Sequence, residues 1–265
     1  MKPVAFAYER PQTVEEAVAL LAEHGDEAKV LAGGQSLVPA MNMRLVRPSV
    51  LVDINGIRGL DEVASEDGAL RVGATARQAD PRLRQHPLLA RALPYVGHFV
   101  TRNRGTVCGS VAHADASAEL PACLVLLGGW ARVRSARGER RILAEDLFLT
   151  HFTTSLPPDE LIVETGWPLP SPGTGYGFQE LAQRHGDYAL CMACASARDG
   201  ELRVVLGSVV DRPRAIEVDP ERPGESAAVQ VEPWGNVHAS PAYLRHLVRV
   251  LVDRAVAEAR EAASR

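Results

Sequence analysis

At 265 residues, with 46% hydrophobic and 23% charged side chains, the chain is long enough to bury a real core in one large or two modest domains, and its balance excludes disordered and fibrous classes. Its net charge of -4 comes with arginines dispersed among acids, so no basic stripe marks a nucleic-acid partner. No run approaches the roughly 20 apolar residues of a membrane helix, and four cysteines set deep in apolar runs do not make a disulfide framework.

Residues Met1 to Glu9 lack the basic start and long apolar stretch of a signal peptide and read as a first strand, which sets a cytoplasmic expectation. Thr13 and Glu16 form a capping box for a helix with Val14, Ala17, Val18 and Leu21 on its apolar face, ending near Gly25. Lys29-Val30-Leu31 is a short strand running into Gly33-Gly34, and Val50 to Ile54 and Leu70 to Ala74 are further strands. Thr75 with Gln78 predicts a second capping box, heading a short helix before Pro81. Leu83 to Tyr95 has a helical pattern interrupted by Pro87 and Pro94. Ser117 to Leu127 reads as an apolar helix, and Trp130 to Arg134 with Arg141 to Leu143 flanks Arg137-Gly138 as a hairpin.

Breakers then dominate from Leu156 to Gly175, with only Leu161 to Glu164 strand-like between them, and the domain boundary is placed here. Tyr176 to Leu181, Tyr188 to Ala197 and Leu202 to Val210 follow as strands of an antiparallel sheet. Asp211 to Asn236 has little periodicity and reads as a loop. Ser240 to Ala263 is one amphipathic helix with Leu244, Leu247, Val248, Leu251 and Val252 on its inner face. The class is α+β, without repeated βαβ units.

Two glycine-centred segments carry the chemistry: Leu31 to Leu37 (LAGGQSL) and Arg102 to Ser110 (RNRGTVCGS). Glycine admits positive φ and has no Cβ, so successive N–H groups can converge on an anion. Thr106, Gly109 and Ser110 beside Arg102 and Arg104 mix hydroxyls, bare amides and cations suited to phosphate and ribose oxygens. Together the segments suggest a clamp on a dinucleotide diphosphate, while the spacing of the first fits neither a Rossmann nor a Walker fingerprint.

These two segments, with Ala112-His113-Ala114-Asp115, Ala118-Glu119-Leu120-Pro121 and Arg184-His185-Gly186-Asp187-Tyr188-Ala189, resemble the FAD-binding medium subunit of molybdenum hydroxylases, and the resemblance extends over almost the whole chain. It implies a p-cresol methylhydroxylase-type FAD-binding domain of two subdomains over residues 1–170. A carbon monoxide dehydrogenase flavoprotein-like domain would follow over 171–265, with a three-stranded antiparallel sheet and helices. The implied cofactor site comprises Leu31, Ala32, Gly33, Gly34, Gln35, Ser36 and Leu37, then Thr106, Val107, Cys108, Gly109 and Ser110, together with Gly97, Glu119, Ile162 and Asp187. Glu119 would meet the ribose and Ile162 the adenine part. The chain would hold no catalytic acid or base and no metal, and would pass electrons from [2Fe-2S] clusters of a small partner subunit through FAD to an acceptor. A large molybdopterin subunit would complete a dimer of heterotrimers.

Several residues depart from that pattern. Cys108 stands where the family has a glycine, as a tolerated small residue or a redox-sensitive thiol. Cys191 and Cys194 read as buried strand cysteines, or as half of a metal site whose other half is missing. Gln179-Glu180 replaces a lysine found in many relatives, and the region after Ile216 is shorter than usual, suggesting a trimmed domain. His98 and His113 flank the second loop as structural histidines or as groups near the flavin ring. These departures motivate the rival reading, a stand-alone flavin-dependent oxidoreductase that has lost its partners; a scaffold that no longer binds flavin is the third.

Overall fold

The structure, a computed structural model, describes residues 1–265. The chain opens with a small parallel lobe: β1 (Ala7–Glu9), α1 (Val14–His24), β2 (Ala28–Leu31), α2 (Leu37–Asn42) and β3 (Val50–Asp53). The strand order is β1-β3-β2, with β3 parallel to both neighbours. Helix α1 starts where the sequence places it, because Thr13 Oγ1 accepts the Glu16 N–H at 3.1 Å. The returning Glu16 carboxylate accepts from Gln12 N at 2.7 Å, one residue before the expected partner. Ala17, Val18 and Leu21 are buried against this sheet, joined by Leu161 and Val163 from a later strand.

A second lobe is antiparallel. Strands β4 (Val63–Glu66) and β5 (Ala69–Gly73) are followed by helices α3 (Pro87–Ala92), α4 (Phe99–Arg102), α5 (Val107–His113) and α6 (Glu119–Leu127). The hairpin β6 (Trp130–Ser135) and β7 (Gly138–Leu143), the short α7 (Ala144–Leu147), β8 (Phe148–Thr150) and β9 (Thr153–Thr154), and then β10 (Leu161–Pro168) complete it. The five-stranded sheet runs β4-β5-β10-β6-β7. Pro87 does not interrupt a long helix but opens α3, whose first turn is capped by His86: Nδ1 accepts the Leu88 N–H at 3.2 Å while Nε2 lies 3.0 Å from Pro168 O.

The last part contains β11 (Gly175–Leu181), β12 (Cys191–Arg198), β13 (Glu201–Gly207), β14 (Arg214–Ile216), α8 (Pro223–Ala228) and α9 (Pro241–Ala263). Its sheet has four strands in order β11-β12-β13-β14, one more than expected, and the segment read as a loop supplies both β14 and α8. Short elements of three and six residues are too brief to show periodicity. Strand β12 starts at Cys191 rather than Tyr188, which frees residues 182–190 as a loop.

One other expectation fails. Thr75 and Gln78 cap no helix; both are buried in a turn whose neighbour Arg77 bridges to Thr106. Gln78 N donates to Gly105 O at 2.9 Å and Val107 N to Ala76 O at 3.2 Å, so pairing with a distant segment displaces the local capping box. That same pairing fixes the second glycine segment in space.

Helix α6 is apolar all round and lies in the largest core cluster, which joins α3, α5, β5 and β10 to Tyr176, Phe178, Met192, Cys194 and Val205 beyond residue 170. On the other face of β12, Cys191, Ala193, Ala195 and Ala197 pack beneath α9. Cys191 and Cys194 thus belong to opposite faces of one strand, and no cluster of metal-ligating side chains occurs. Helix α9 lies against β11 because Gly175 and Gly177 have no side chains: a Cβ there would sit 2.0 Å from the Ala259 and Ala255 carbonyl oxygens. Gly177→Ala is expected to destabilise the chain by roughly 1–3 kcal/mol through overpacking. Urea denaturation checks this, and an unchanged midpoint would contradict such a close approach.

Candidate functional site

Three loops meet around one cleft of about 520 Å³. The first leaves β2 at Leu31 and enters α2, turning at Gly34 with φ +71°. From Gly33 to Leu37 no backbone N–H donates to an acceptor in the chain, although Gln35 Nε2 donates to Gly33 O at 3.2 Å. Consecutive amides left without partners in a turn constitute an anion-binding concavity. Gly33, Gly34, Gln35, Ser36 and Leu37 all line the cleft, as does Ala32; Leu31 stays behind them at the strand end.

Gly33 is buried against the second loop. A Cβ at Gly33 would lie 2.6 Å from Arg104 O, 2.8 Å from Gly105 Cα and 3.0 Å from Thr106 N, so the two backbones touch. Thr106 caps α5, its Oγ1 accepting the Gly109 N–H at 3.0 Å. Val107 N is taken by Ala76 O and Ser110 N by Thr106 O, which leaves the Thr106 and Cys108 N–H groups of this turn with no acceptor in the chain. Thr106, Gly109 and Ser110 line the cleft, whereas Val107 and Cys108 do not.

The Cys108 side chain points the other way. Its Sγ donates to Val72 O at 3.3 Å and lies 3.4 Å from Thr165 Oγ1, which also accepts from Trp167 Nε1 at 3.0 Å. The helical residue has negative φ, so replacing glycine introduces no left-handed strain. Burial pushes the thiol up to about 12, with Glu164 adding to the shift. Cys108 is thus an unreactive anchor between α5 and the antiparallel sheet, not a redox-sensitive thiol.

The third loop arrives from beyond residue 170. Gly186, at φ +86°, comes so near Gly97 and His98 that a Cβ would sit 2.9 Å from Gly97 O and from His98 Nδ1. This brings Asp187 and Tyr188 to the cleft opposite Gly97. Arg184 Nε donates to Asp187 Oδ2 at 3.0 Å and Tyr188 remains 62% exposed. His98 and His113 also line the cleft, and burial holds His113 below the ordinary imidazole range.

Asp115 and Glu119 line the same cleft, and Glu180, outside the lining, feels the charge of Glu119. Glu119, at the first position of α6, is 6% exposed, and burial pushes its carboxyl up to about 7 while Arg102 opposes the shift. Glu180 on β11 is pushed up to about 8 by burial and by Glu119, and its buried Oε2 has no hydrogen-bond partner. Asp115 accepts from Ser117 N at 2.8 Å. The neighbouring Gln179 turns instead to α9, donating to Glu258 Oε2 at 3.2 Å, so neither residue supplies a cation. Lys29, one of two lysines in the chain, lines the cleft from β2.

Ile162, expected at the adenine part, lies off the cleft lining. It faces the large core from β10 while its neighbours Leu161 and Val163 face the parallel lobe, and its enclosed side chain does not line the cleft. Sequence reading missed Gln78, Thr101 and Asp115 as lining groups, whereas Tyr188, read with Asp187 as a shield for one flavin face, does line the cleft. Gln78 had been assigned to a helix cap; its Oε1 is buried without a hydrogen-bond partner. Asp115 was visible as part of a family segment, but nothing in its spacing pointed to the cavity.

Comparison with known proteins places these features in a family. The profile described as FAD binding domain in molybdopterin dehydrogenase matches residues 4–170. The 6-hydroxypseudooxynicotine dehydrogenase complex subunit alpha of Paenarthrobacter nicotinovorans is 39% identical, over 98% of this chain and 96% of its own. The carbon monoxide dehydrogenase medium chain of Hydrogenophaga pseudoflava is 36% identical over 71% of this chain and 68% of its own. The crystal structure of quinoline 2-oxidoreductase from Pseudomonas putida 86 superposes with a TM-score of 0.92 at 34% identity, covering 100% of both chains. That coverage includes the C-terminal part. The chain belongs to the family of FAD-binding domains of molybdopterin dehydrogenases.

Proposed function

We propose that this chain is the FAD-binding medium subunit of a multi-subunit molybdenum hydroxylase, receiving electrons from [2Fe-2S] clusters of a small subunit and delivering them to an acceptor. A large molybdopterin subunit carries substrate oxidation, and the assembly is a dimer of heterotrimers in the cytoplasm. Residues 1–170 act as the FAD-binding domain and 171–265 as the flavoprotein-like C-terminal domain. The observation that carries this reading is the run of unclaimed amides from Gly33 to Leu37 set directly against the Thr106 turn.

The residues present fit the cofactor. Amides from Gly33 to Leu37 offer donors to a diphosphate, with Ser36 and Ser110 hydroxyls beside them. Bound FAD supplies the redox chemistry, taking electrons singly and giving them as a pair. The protein's part is to hold and surround it: Gly97, Asp187 and Tyr188 close the cleft from the C-terminal side. Glu119, with a carboxyl pKa raised to about 7, is about half protonated near neutrality and can in that form donate as well as accept a hydrogen bond at a ribose hydroxyl.

A stand-alone flavin enzyme is disfavoured, because relatives matched almost end to end carry names such as "complex subunit alpha" and "medium subunit", and because Cys108 is buried and inert. The purified chain is expected to bind FAD stoichiometrically, and its reduction by substrate to require both other subunits; reduction of the isolated chain by an organic substrate would sink the proposal. Gly33→Ala, whose new methyl would meet Arg104 O, is expected to weaken FAD binding on the order of 10-fold or more in a fluorescence titration.

Glu119 also makes the cofactor-free chain sensitive to pH. Its folded pKa exceeds the unfolded value of 4.5, so the native state binds more protons and stability falls as pH rises from about 4.5 to about 7. Glu119→Gln, neutral throughout, should gain stability over the parent at pH 8.5 relative to pH 5, on the order of 3 kcal/mol. Thermal unfolding at the two pH values measures the difference; equal effects at both would contradict a buried, neutral Glu119.

A further inference from the structure

A chain of hydrogen bonds runs behind the cleft and joins the two glycine loops. Asn55, in a short 3-10 turn after β3, donates from Nδ2 to Ala32 O at 2.8 Å and reaches Leu31 O at 3.3 Å. Its backbone N–H and its Nδ2 are held by Asp53 Oδ1 at 2.9 and 2.6 Å, and Asp53 accepts in turn from the Tyr8 hydroxyl. Arg77 completes the link, donating from Nη2 to Asn55 Oδ1 at 2.6 Å and from Nη1 to Arg104 O at 2.6 Å. That Arg104 oxygen is the atom nearest the missing Cβ of Gly33.

We propose that Arg77 and Asn55 are positioning residues, a brace that sets the gap between the two loops and turns their peptides so that amides face the cofactor. The inference rests on the flavin reading above. Neither residue lines the cleft, so any effect on binding is exerted through the loops. In a planar trans peptide the C=O and N–H point in opposite directions. Fixing Ala32 O behind the loop therefore aims the Gly33 N–H, the first of the unclaimed amides, away from Asn55. On the second loop Arg77 holds Arg104 O beside Gly33, fixing how far the Thr106 turn stands from the first loop. The guanidinium suits this task because its rigid fork spans two acceptors at once, which an ammonium cannot do. It is held although burial and the nearby Arg104 disfavour its charge, with Asp53 and Asp61 opposing them.

The test titrates FAD into the full-length chain and into Arg77→Gln, Arg77→Lys, Asn55→Ala and the Arg77→Gln/Asn55→Ala double variant, with the cofactor-free Tm of each. Each of Arg77→Gln and Asn55→Ala should weaken FAD binding about 10- to 100-fold. The double variant should lose little more than the worse single, since either change breaks the same link. Arg77→Lys should recover only part of the affinity, and the visible circular dichroism of bound flavin should change in all four. A merely structural role would lower Tm while leaving the affinity of the folded fraction and the flavin spectrum unchanged, and that result overturns the brace. Independent, multiplying losses in the double variant overturn it as well. If Arg77→Gln does not fold, Asn55→Ala and Arg77→Lys decide on the same readouts. Failure of the unaltered chain to bind FAD would instead refute the flavin reading.

Discussion

The cleft depends on the backbone of Gly33 lying against the backbone of Arg104 to Thr106. Each partner comes from a different lobe, one from the end of a parallel strand and the other from the cap of a helix packed on an antiparallel sheet. Two such surfaces come this close only where a side chain is absent, and the groups left at their junction are peptide dipoles. The anion-binding character of the site thus follows from how the lobes meet rather than from a concentration of charged side chains. Asp115, Glu119 and Glu180 place acidic groups nearby, and burial keeps Glu119 and Glu180 from opposing a bound diphosphate with full negative charge near neutrality.

Cys108 illustrates why a loop cannot be judged from its residue types alone. In sequence it intrudes on a glycine pair; in space its amide lies at the unpaired start of α5 and its thiol anchors the underside. The backbone and side chain of one residue serve opposite faces of the same helix. A position that tolerates a substituent is therefore compatible with a binding role, whereas Gly33, whose environment is all backbone, has no such freedom.

Much of the fold was legible because strong local signals agreed with the tertiary outcome. The Thr13 cap, the β6–β7 hairpin and the inner face of α9 each combine a turn or cap residue with a clear period. The turn at Thr75 to Gln78 was misread because its capping pattern is genuine but its backbone groups are engaged by a segment nearly thirty residues on. For the site, the glycine loops were readable as an anion clamp. The position of Ile162 off the cleft lining was not readable, because a bulged β10 facing different cores on its two sides leaves no trace in the sequence of which side meets the cleft. The Asn55–Arg77 link escaped notice since neither residue lies in a recognisable motif.

The core around α6 does not stop at residue 170. Phe178, Met192 and Val205 share it with Leu120 and Leu124, while Gly186 to Tyr188 close a cleft whose opposite wall is built more than eighty residues earlier. A ligand in that cleft engages only the docked arrangement of both parts, and so raises the unfolding free energy of the entire chain by mass action. Cofactor supply then governs more than electron flow: it sets the fraction of chains that remain docked, and with it how long each newly made copy survives proteolysis before assembly.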